Sequence, residues 1–186
     1  MRASHRPPRP TGSAGPALAA QILALAALAA APTPTLRAAV PPSAQDLGAR
    51  IDPAVESLTP EIVEIRHHIH QNPELGNREE QTAALVAGHL RELGLEVETG
   101  IAHTGVVGVL RGGQPGPVVA VRADMDALPV TEQTDFPFRS TKRTTYLGQE
   151  VGVAHACGHD VHTSVGLGVA SVLASMKDDL PGTVVF

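Results

Sequence analysis

The sequence predicts a layered α/β domain, because segments with helical and strand-like patterns are interspersed along the chain. Ile62, Ile65 and Ile69 recur at helical spacing, and three strand-like runs follow between residues 95 and 121. The chain has 186 residues, of which 42% are apolar and 18% are charged. This length fits one domain, and this composition excludes a chain that is disordered throughout or a polytopic membrane protein.

Proline signals delimit the first predicted helices. Asp52-Pro53 indicates a short helical turn. Because proline interrupts a helix interior, Thr59 followed by Pro60 predicts the cap and the first position of a separate helix over residues 60–71.

A second helix and a set of strands are predicted next. Asn77 and Glu80 resemble a capping box, which predicts a helix that ends at Gly94. Strand-like runs follow at Leu95–Thr99, Gly105–Leu110 and Val118–Val121. The glycine-rich connector over residues 111–116 predicts a hairpin between the last two runs.

The last part of the chain returns to a helical pattern. Residues 127–154 are irregular, with a weak strand pattern at Gly148–Val153. A helix is predicted over Val161–Met176 with Asp160 as its N-cap. Thr183–Phe186 then predicts a strand.

Residues 1–44 are predicted to be a signal peptide and linker, and residues 45–186 the folded part of the chain. Residues 1–40 carry four arginines and no acidic residue, and an apolar run spans Ala17 to Ala31. This pattern is typical of a secretory signal peptide and is short for a transmembrane helix. We therefore expect an exported protein, periplasmic or secreted, without stable membrane insertion after cleavage. The alternative is an uncleaved tail rich in alanine and proline, or a start codon assigned too early.

Composition argues against a nucleic-acid partner. Three Phe, one Tyr and no Trp leave no aromatic platform on which bases could stack. The net charge of −5 also opposes binding to a phosphate backbone. The single cysteine, Cys157, cannot form an internal disulfide.

The densest cluster of reactive side chains spans His155 to His162. This window holds three histidines, the only cysteine and an aspartate, whereas composition predicts about 0.4 histidine in eight residues. Imidazole and thiolate are good ligands for zinc and similar divalent metals, and Gly158 lets the backbone bend so that Cys157 and His159 can converge. The window therefore predicts a metal site, and the alternative is a polar loop with a buried thiol. The further supporting candidates in the window are His155, Asp160 and His162.

Two aspartates follow the strand-like run that ends at Val121. Carboxylates at the end of a buried strand are well placed for an active site. Asp126 is expected to orient a metal-bound imidazole and is the candidate catalytic residue, and Asp124 is a candidate supporting residue. Structural alternatives are a cap of the next turn or an ion pair with Arg122.

Three more histidines, His67, His68 and His70, lie in the first predicted helix. His67 and His70 share a face of a helix and His68 points away, so the three cannot converge on one ion. We therefore expect structural roles in this run, with His70 and Glu74 as the exceptions.

Three motifs in this order resemble the amidohydrolase branch of the aminoacylase and carboxypeptidase metallopeptidases, which includes hippurate hydrolases and indole-acetyl-amino-acid hydrolases. They are His70-x-x-Pro-Glu-Leu75, Arg122-Ala-Asp-Met-Asp-Ala-Leu-Pro129 and His155-Ala-Cys-Gly-His-Asp-x-His162, within about residues 58–186. The resemblance implies the first part of a layered, zinc-exopeptidase-like catalytic domain. It also implies a two-metal site for zinc or manganese, with Cys157 and His159 as ligands and Asp126 as the supporting carboxylate. The implied substrates are N-acyl amino acids or similar small amides.

The sequence lacks positions for the Glu-Glu pair of this family, which supplies a general base and a ligand, and for its later histidine ligands. We therefore expect a metal-dependent amidohydrolase in the complete protein and no useful hydrolysis by these 186 residues alone. The alternatives are a non-catalytic metal-binding or interaction protein and an inactive gene fragment. Substrate-binding residues, the acyl group and the oligomeric state stay open.

Overall fold

A computed structural model describes residues 44–186, and the predicted signal peptide lies outside these residues. Helices and strands are interspersed along the described chain, which confirms the predicted α/β class. In chain order the elements are helix α1 (Ala44–Gln71), helix α2 (Glu80–Glu92), strands β1 (Glu96–Ile101), β2 (Gly105–Arg111), β3 (Gln114–Ala120), β4 (Arg143–Tyr146) and β5 (Gln149–Gly152), helix α3 (His159–Ser175), a 3-10 turn (Lys177–Asp179) and strand β6 (Pro181–Val185).

Helix α1 runs through Pro53 and Pro60, so the predicted separate turn and the predicted helix start at Pro60 are wrong. Both prolines are exposed, where water can satisfy the carbonyl groups that lose an N–H donor. Thr59 is not a cap, because its hydroxyl donates to the Val55 carbonyl at 2.7 Å. Ile62 packs against the main core, and this tertiary packing outweighs the local proline signals.

Helix α2 is capped by a residue from outside the predicted capping box. Asn77 has a left-handed backbone with φ 63°, and its side chain does not cap the helix. The buried Glu74 carboxylate instead accepts the N–H groups of Gln81 at 3.2 Å and Thr82 at 2.8 Å, and the Thr82 hydroxyl at 2.9 Å. The predicted capping box is therefore wrong, because a more distant carboxylate already satisfies the free N–H groups of the first turn.

The main sheet has the strand order β1-β2-β6-β3. Strand β6 is antiparallel to β2 and parallel to β3, so the predicted hairpin between β2 and β3 is wrong. The glycine-rich connector instead forms backbone hydrogen bonds with β6 and with the 3-10 turn before it. Gly112 N–H donates to the Gly182 carbonyl at 2.8 Å, and Gly113 N–H donates to the Lys177 carbonyl at 2.7 Å. Backbone approaches this close leave no room for a Cβ atom on either glycine. The predicted strand from Thr183 is confirmed and lies inside the sheet.

Strands β4 and β5 form a separate hairpin. Its tight turn places Leu147 and Gly148 at φ 50° and 78°. Strand β5 confirms the weak pattern in this region, whereas β4 was not predicted. Helix α3 confirms the predicted last helix, but its N-cap is Gly158 and Asp160 lies inside the first turn, so the prediction of Asp160 as the cap is wrong.

The core lies between the main sheet and the helices. Its fully buried members come from α2, the α2–β1 connection, β2, α3 and β6, and are Val86, Leu90, Leu95, Leu110, Leu167, Ala170 and Val184. Helix α1 packs on α3 through residues such as Ile62 and Ile65, which adds a further layer. Within residues 44–186, no helix is both long enough and apolar enough to cross a bilayer.

Candidate metal centre

A short turn between a β-bridge and helix α3 carries the two principal ligand candidates. Upstream, Leu128 and Ala154 exchange backbone hydrogen bonds of 3.0 and 3.1 Å. Downstream, Gly158 takes a left-handed conformation with φ 85° and starts α3. This glycine turns the chain sharply, so Cys157 lies on the turn and His159 in the first turn of the helix.

His159 is held by Asp126 through a single ring nitrogen. His159 Nδ1 lies 2.9 Å from the Asp126 carbonyl oxygen and 3.0 Å from its carboxylate Oδ1. A carbonyl oxygen can only accept, so Nδ1 must carry the proton and donate it. In the neutral imidazole this leaves a lone pair on Nε2, which is the form that binds a metal ion.

The donor set fits part of a divalent-metal site. The Cys157 side chain is exposed, and thiolate and imidazole are both ligands of zinc. Among residues 44–186, no group of three or more His, Cys, Asp or Glu side chains is arranged to hold a metal ion. The described part of the chain therefore offers two donors that suit a metal but no closed ligand set.

Asp124 lies in a more exposed cluster with Arg122 and His162. The Arg122 guanidinium bonds the Asp124 carboxylate at 2.5 Å and lowers the pKa of this carboxyl. His162 Nδ1 is 3.6 Å from the other carboxylate oxygen, and the His162 side chain is largely exposed. The ion pair between Asp124 and Arg122 that was expected as a structural alternative is therefore present. It engages one carboxylate oxygen of Asp124, the candidate supporting residue.

His155 is buried, and neither of its ring nitrogens has a hydrogen-bond partner among residues 44–186. Burial in this environment lowers the pKa of His155 to about 4, because a charged imidazolium would lose its hydration. At neutral pH His155 is therefore a neutral imidazole. Its ring centroid lies 6.3 Å from that of His70.

Asp160 faces away from the exposed turn and into a buried ion network. Its Oδ2 atom accepts hydrogen bonds from Arg66 Nε and His70 Nδ1, both at 2.8 Å. Burial alone would raise the pKa of Asp160, but the hydrogen bonds from His70 and from the Val161 N–H lower it. These two contacts to Oδ2 indicate that Asp160 supports the turn and is not a free ligand for a metal ion.

Glu132 completes this network from a distant loop. Its Oε1 atom is 3.0 Å from His70 Nε2, and its Oε2 atom accepts the Ser140 N–H at 2.6 Å. Although burial opposes ionisation, the hydrogen bond from His70 and those from Thr134 and Ser140 lower the pKa of Glu132. Sequence reasoning missed Glu132 and Arg66, because neither stands in a pattern of ligand spacing. The only sequence signal was the expectation that His70 differs from the other histidines of its run.

Comparison with known proteins shows that the chain is similar to a family of hydrolases. Residues 120–186 match the family model described as peptidase family M20/M25/M40. A probable hydrolase of Synechocystis sp. is 51% identical over 132 residues, which are 70% of this chain and 32% of that protein. The hippurate hydrolase of Campylobacter jejuni is 49% identical over 125 residues, covering 67% of this chain and 30% of that protein.

A solved structure of this family is also similar to the chain. The Bacillus subtilis YXEP protein, a dinuclear metal-binding peptidase of the M20 family, matches with a TM-score of 0.63 and 36% identity. The match covers 70% of this chain and 34% of that one. The chain therefore spans about a third of the length of these relatives.

Proposed function

We propose that this chain, which belongs to peptidase family M20/M25/M40, provides part of the divalent-metal site of an amidohydrolase that acts on N-acyl amino acids. The observation that carries the proposal is the contact between His159 and Asp126. Two acceptors on Nδ1 hold the imidazole with its Nε2 lone pair free for a metal ion. The similar hippurate hydrolase supports the substrate class.

The roles of the residues follow from this geometry. Cys157, deprotonated, and His159 would hold the metal, and Asp126 would fix the ring orientation of His159 and make Nε2 a better donor. A bound divalent metal polarises the amide carbonyl and lowers the pKa of a water molecule. Asp126 would also keep the proton on Nδ1, because its carbonyl oxygen and its carboxylate Oδ1 both face that nitrogen as acceptors.

The identity and number of the ions form a further part of the proposal. A thiolate and an imidazole favour zinc over manganese, because manganese prefers oxygen ligands. Two ions are proposed because the similar B. subtilis protein is a dinuclear metal-binding peptidase. The family resemblance implies that the remaining ligands and the general base come from positions that this sequence does not contain.

Export is proposed separately from the catalytic assignment. The basic and then apolar pattern of residues 1–31 supports a signal peptide. Amino-terminal sequencing of protein recovered from the periplasm or the medium is expected to give a mature form that begins between about Pro32 and Gln45. Recovery of a cytoplasmic product that retains Met1 contradicts export and leaves the metal proposal intact.

Metal retention tests the site. Equilibrium dialysis against zinc compares the wild type with the double variant Cys157→Ser/His159→Ala, and His68→Ala serves as the control because His68 is exposed on α1. We expect the double variant to lose zinc and the control to retain it. Equal retention in all three proteins would contradict the assignment of Cys157 and His159.

Turnover tests the reaction class. Amino-acid release from N-benzoylglycine and other N-acyl amino acids is measured with added zinc or manganese, for the 186-residue chain and for any reading frame that continues past Phe186. We expect metal-dependent hydrolysis only from a longer product, since a hydrolytic site needs more ligands and a base. Metal-dependent turnover by the 186 residues alone would overturn the requirement for further ligands.

A further inference from the structure

We propose that His70 is a positioning residue that fixes both flanks of the turn carrying Cys157 and His159, an inference that rests on the proposed metal site. His70 lies in the last turn of α1, far along the chain from the turn that it supports. Its side chain is buried, and both ring nitrogens are engaged by carboxylates. His70 therefore has no lone pair free for a metal ion, and its action on the site is indirect.

The downstream flank is held through Asp160. His70 Nδ1 and Arg66 Nε both bond Asp160 Oδ2 at 2.8 Å, and the Asp160 side chain is 1% exposed. Asp160 is the neighbour of His159 in the first turn of α3. His159 is fixed from the other direction by Asp126, so two adjacent residues of one helical turn are held by two different parts of the fold.

The upstream flank is held through a relay of three hydrogen bonds. His70 Nε2 bonds Glu132 Oε1 at 3.0 Å, and Glu132 Oε2 accepts the Ser140 N–H at 2.6 Å. The Ser140 hydroxyl then donates to the Val153 carbonyl at 2.7 Å. Val153 precedes the bridge residue Ala154, where the turn begins. One imidazole thus connects to the chain on both sides of the ligand candidates, at Val153 upstream of Cys157 and at Asp160 next to His159.

The charges of the network explain why this connection is rigid. Asp160 and Glu132 are acidic and have almost no exposed side-chain surface, and Arg66 and His70 are the basic groups that face them. Each ring nitrogen of His70 faces one of the two carboxylates, and the Arg66 guanidinium adds a second contact to Asp160. Buried charges that are paired and hydrogen-bonded resist displacement, because separation would leave an uncompensated charge.

Cobalt binding tests the proposal on the intact 186-residue chain. Titration with Co²⁺ reports affinity, and a near-ultraviolet thiolate-to-cobalt absorption reports the bond to Cys157. We expect His70→Leu to weaken Co²⁺ binding by about 10- to 100-fold, the usual effect of losing an outer partner of a metal ligand. His70→Asn, which keeps a donor towards Asp160, should recover part of this loss.

A matched control separates positioning from general loss of stability. Leu90→Ala removes a buried side chain of the core without touching the network, and it should leave Co²⁺ affinity within about threefold at temperatures where it is folded. Glu132→Gln provides a milder second variant should His70→Leu not fold, and it should weaken binding by about 3- to 10-fold. Affinity equal to wild type in folded Glu132→Gln and His70→Asn would overturn the proposal.

A double-mutant cycle identifies the residue through which His70 acts. If the connection runs to His159, the loss caused by His70→Leu should shrink to less than about threefold when His159 is already alanine. The same fold-loss in both backgrounds would show that His70 only stabilises the fold. Absence of Co²⁺ binding by the wild type contradicts the proposed metal site and this role with it, whereas binding that is insensitive to His70 overturns this role alone.

Discussion

Two buried histidines, His70 and His155, lie side by side and differ in every polar contact. Their ring centroids are 6.3 Å apart, and their exposed fractions are 7% and 6%. His70 has a carboxylate at each nitrogen, whereas neither nitrogen of His155 has a partner in the part of the chain that the structure describes. The comparison shows that two imidazoles buried to the same extent can differ completely in their polar partners: one belongs to an ion network and the other is surrounded, within residues 44–186, by groups that do not bond it.

The two histidines also differ in their relation to the candidate metal centre. The His70 network holds the turn from behind, and the pKa values of its two carboxyls, Asp160 and Glu132, are lowered by hydrogen bonds. His155 stands in the same turn segment without any such bond, and burial lowers its pKa to about 4. Changes at the two histidines should therefore have very different effects on stability.

The largest effect is expected from His70→Leu. The substitution leaves the carboxylates of Asp160 and Glu132 without their shared partner in a buried environment. Breaking a buried ion network in this way costs about 3–5 kcal/mol in the free energy of unfolding. Urea unfolding followed by circular dichroism measures this loss. A loss below about 1 kcal/mol would show that the two carboxylates need no partner.

The next effect concerns pH and arises from His155. Its pKa is about 4 in the folded chain and 6.5 in a free side chain. As the pH falls from about 6.5 to about 4, the unfolded chain binds a proton that the folded chain does not, so folding stability decreases. The contribution of this group is about 2–3 kcal/mol over that range.

Urea unfolding of wild type and His155→Leu across this pH range isolates the contribution. We expect the wild type to lose more stability than the variant between pH 6.5 and 4. The carboxyls of Asp160 and Glu132 also lose stabilisation as the pH falls through their ordinary values of 3.8 and 4.5, because their pKa values are lowered in the folded chain. Both proteins keep these carboxyls, so the difference between the two curves reports His155. Parallel curves for the two proteins would contradict the assignment of His155 as a neutral buried imidazole.

A smaller effect is expected at Phe138, which packs beside His70 and its helix. The Phe138 ring stacks on His67 at 3.8 Å between centroids, meets His70 edge-on at 5.5 Å, and lies 5.0 Å from the guanidinium carbon of Arg66. Phe138→Leu keeps the apolar volume and removes these aromatic contacts, at a cost of about 1 kcal/mol. Thermal unfolding should detect this shift, and an unchanged midpoint would show that the stack is incidental.

The smallest effect is expected from His155→Leu at pH 8. The wild-type imidazole is buried without partners, so its removal costs no hydrogen bond and relieves an unsatisfied polar group. We expect stability within about 1 kcal/mol of the wild type, in contrast to His70→Leu. A loss as large as that of His70→Leu would mean that His155 has a partner of its own.

The sequence predicted elements whose signals are local. The helix after Gly158, the strand at Thr183 and the cluster around Cys157 were recognised because a short stretch of chain carries each pattern. The contact between Asp126 and His159 followed the expectation that a carboxylate at the end of a strand would orient an imidazole. The metal-binding and catalytic roles of these residues are proposals that the experiments above address.

Features that depend on distant partners were not predictable from local patterns. The break expected at Pro60 does not occur, because packing of α1 on α3 supports the helix beyond its proline. The expected hairpin is replaced by insertion of β6, a strand that lies about 70 residues further along the chain. Glu132 is 62 residues from His70, and only the folded chain brings them together.

The most direct test of the account is the tautomer of His159. Long-range ¹H–¹⁵N nuclear magnetic resonance at pH 8, with and without zinc, distinguishes the protonated from the unprotonated ring nitrogen. We predict that Nδ1 carries the proton because the carbonyl and carboxylate oxygens of Asp126 accept it, and that zinc shifts the resonance of Nε2. A proton on Nε2, or no change at Nε2 when zinc is added, would contradict the proposal that Asp126 prepares His159 to bind a metal.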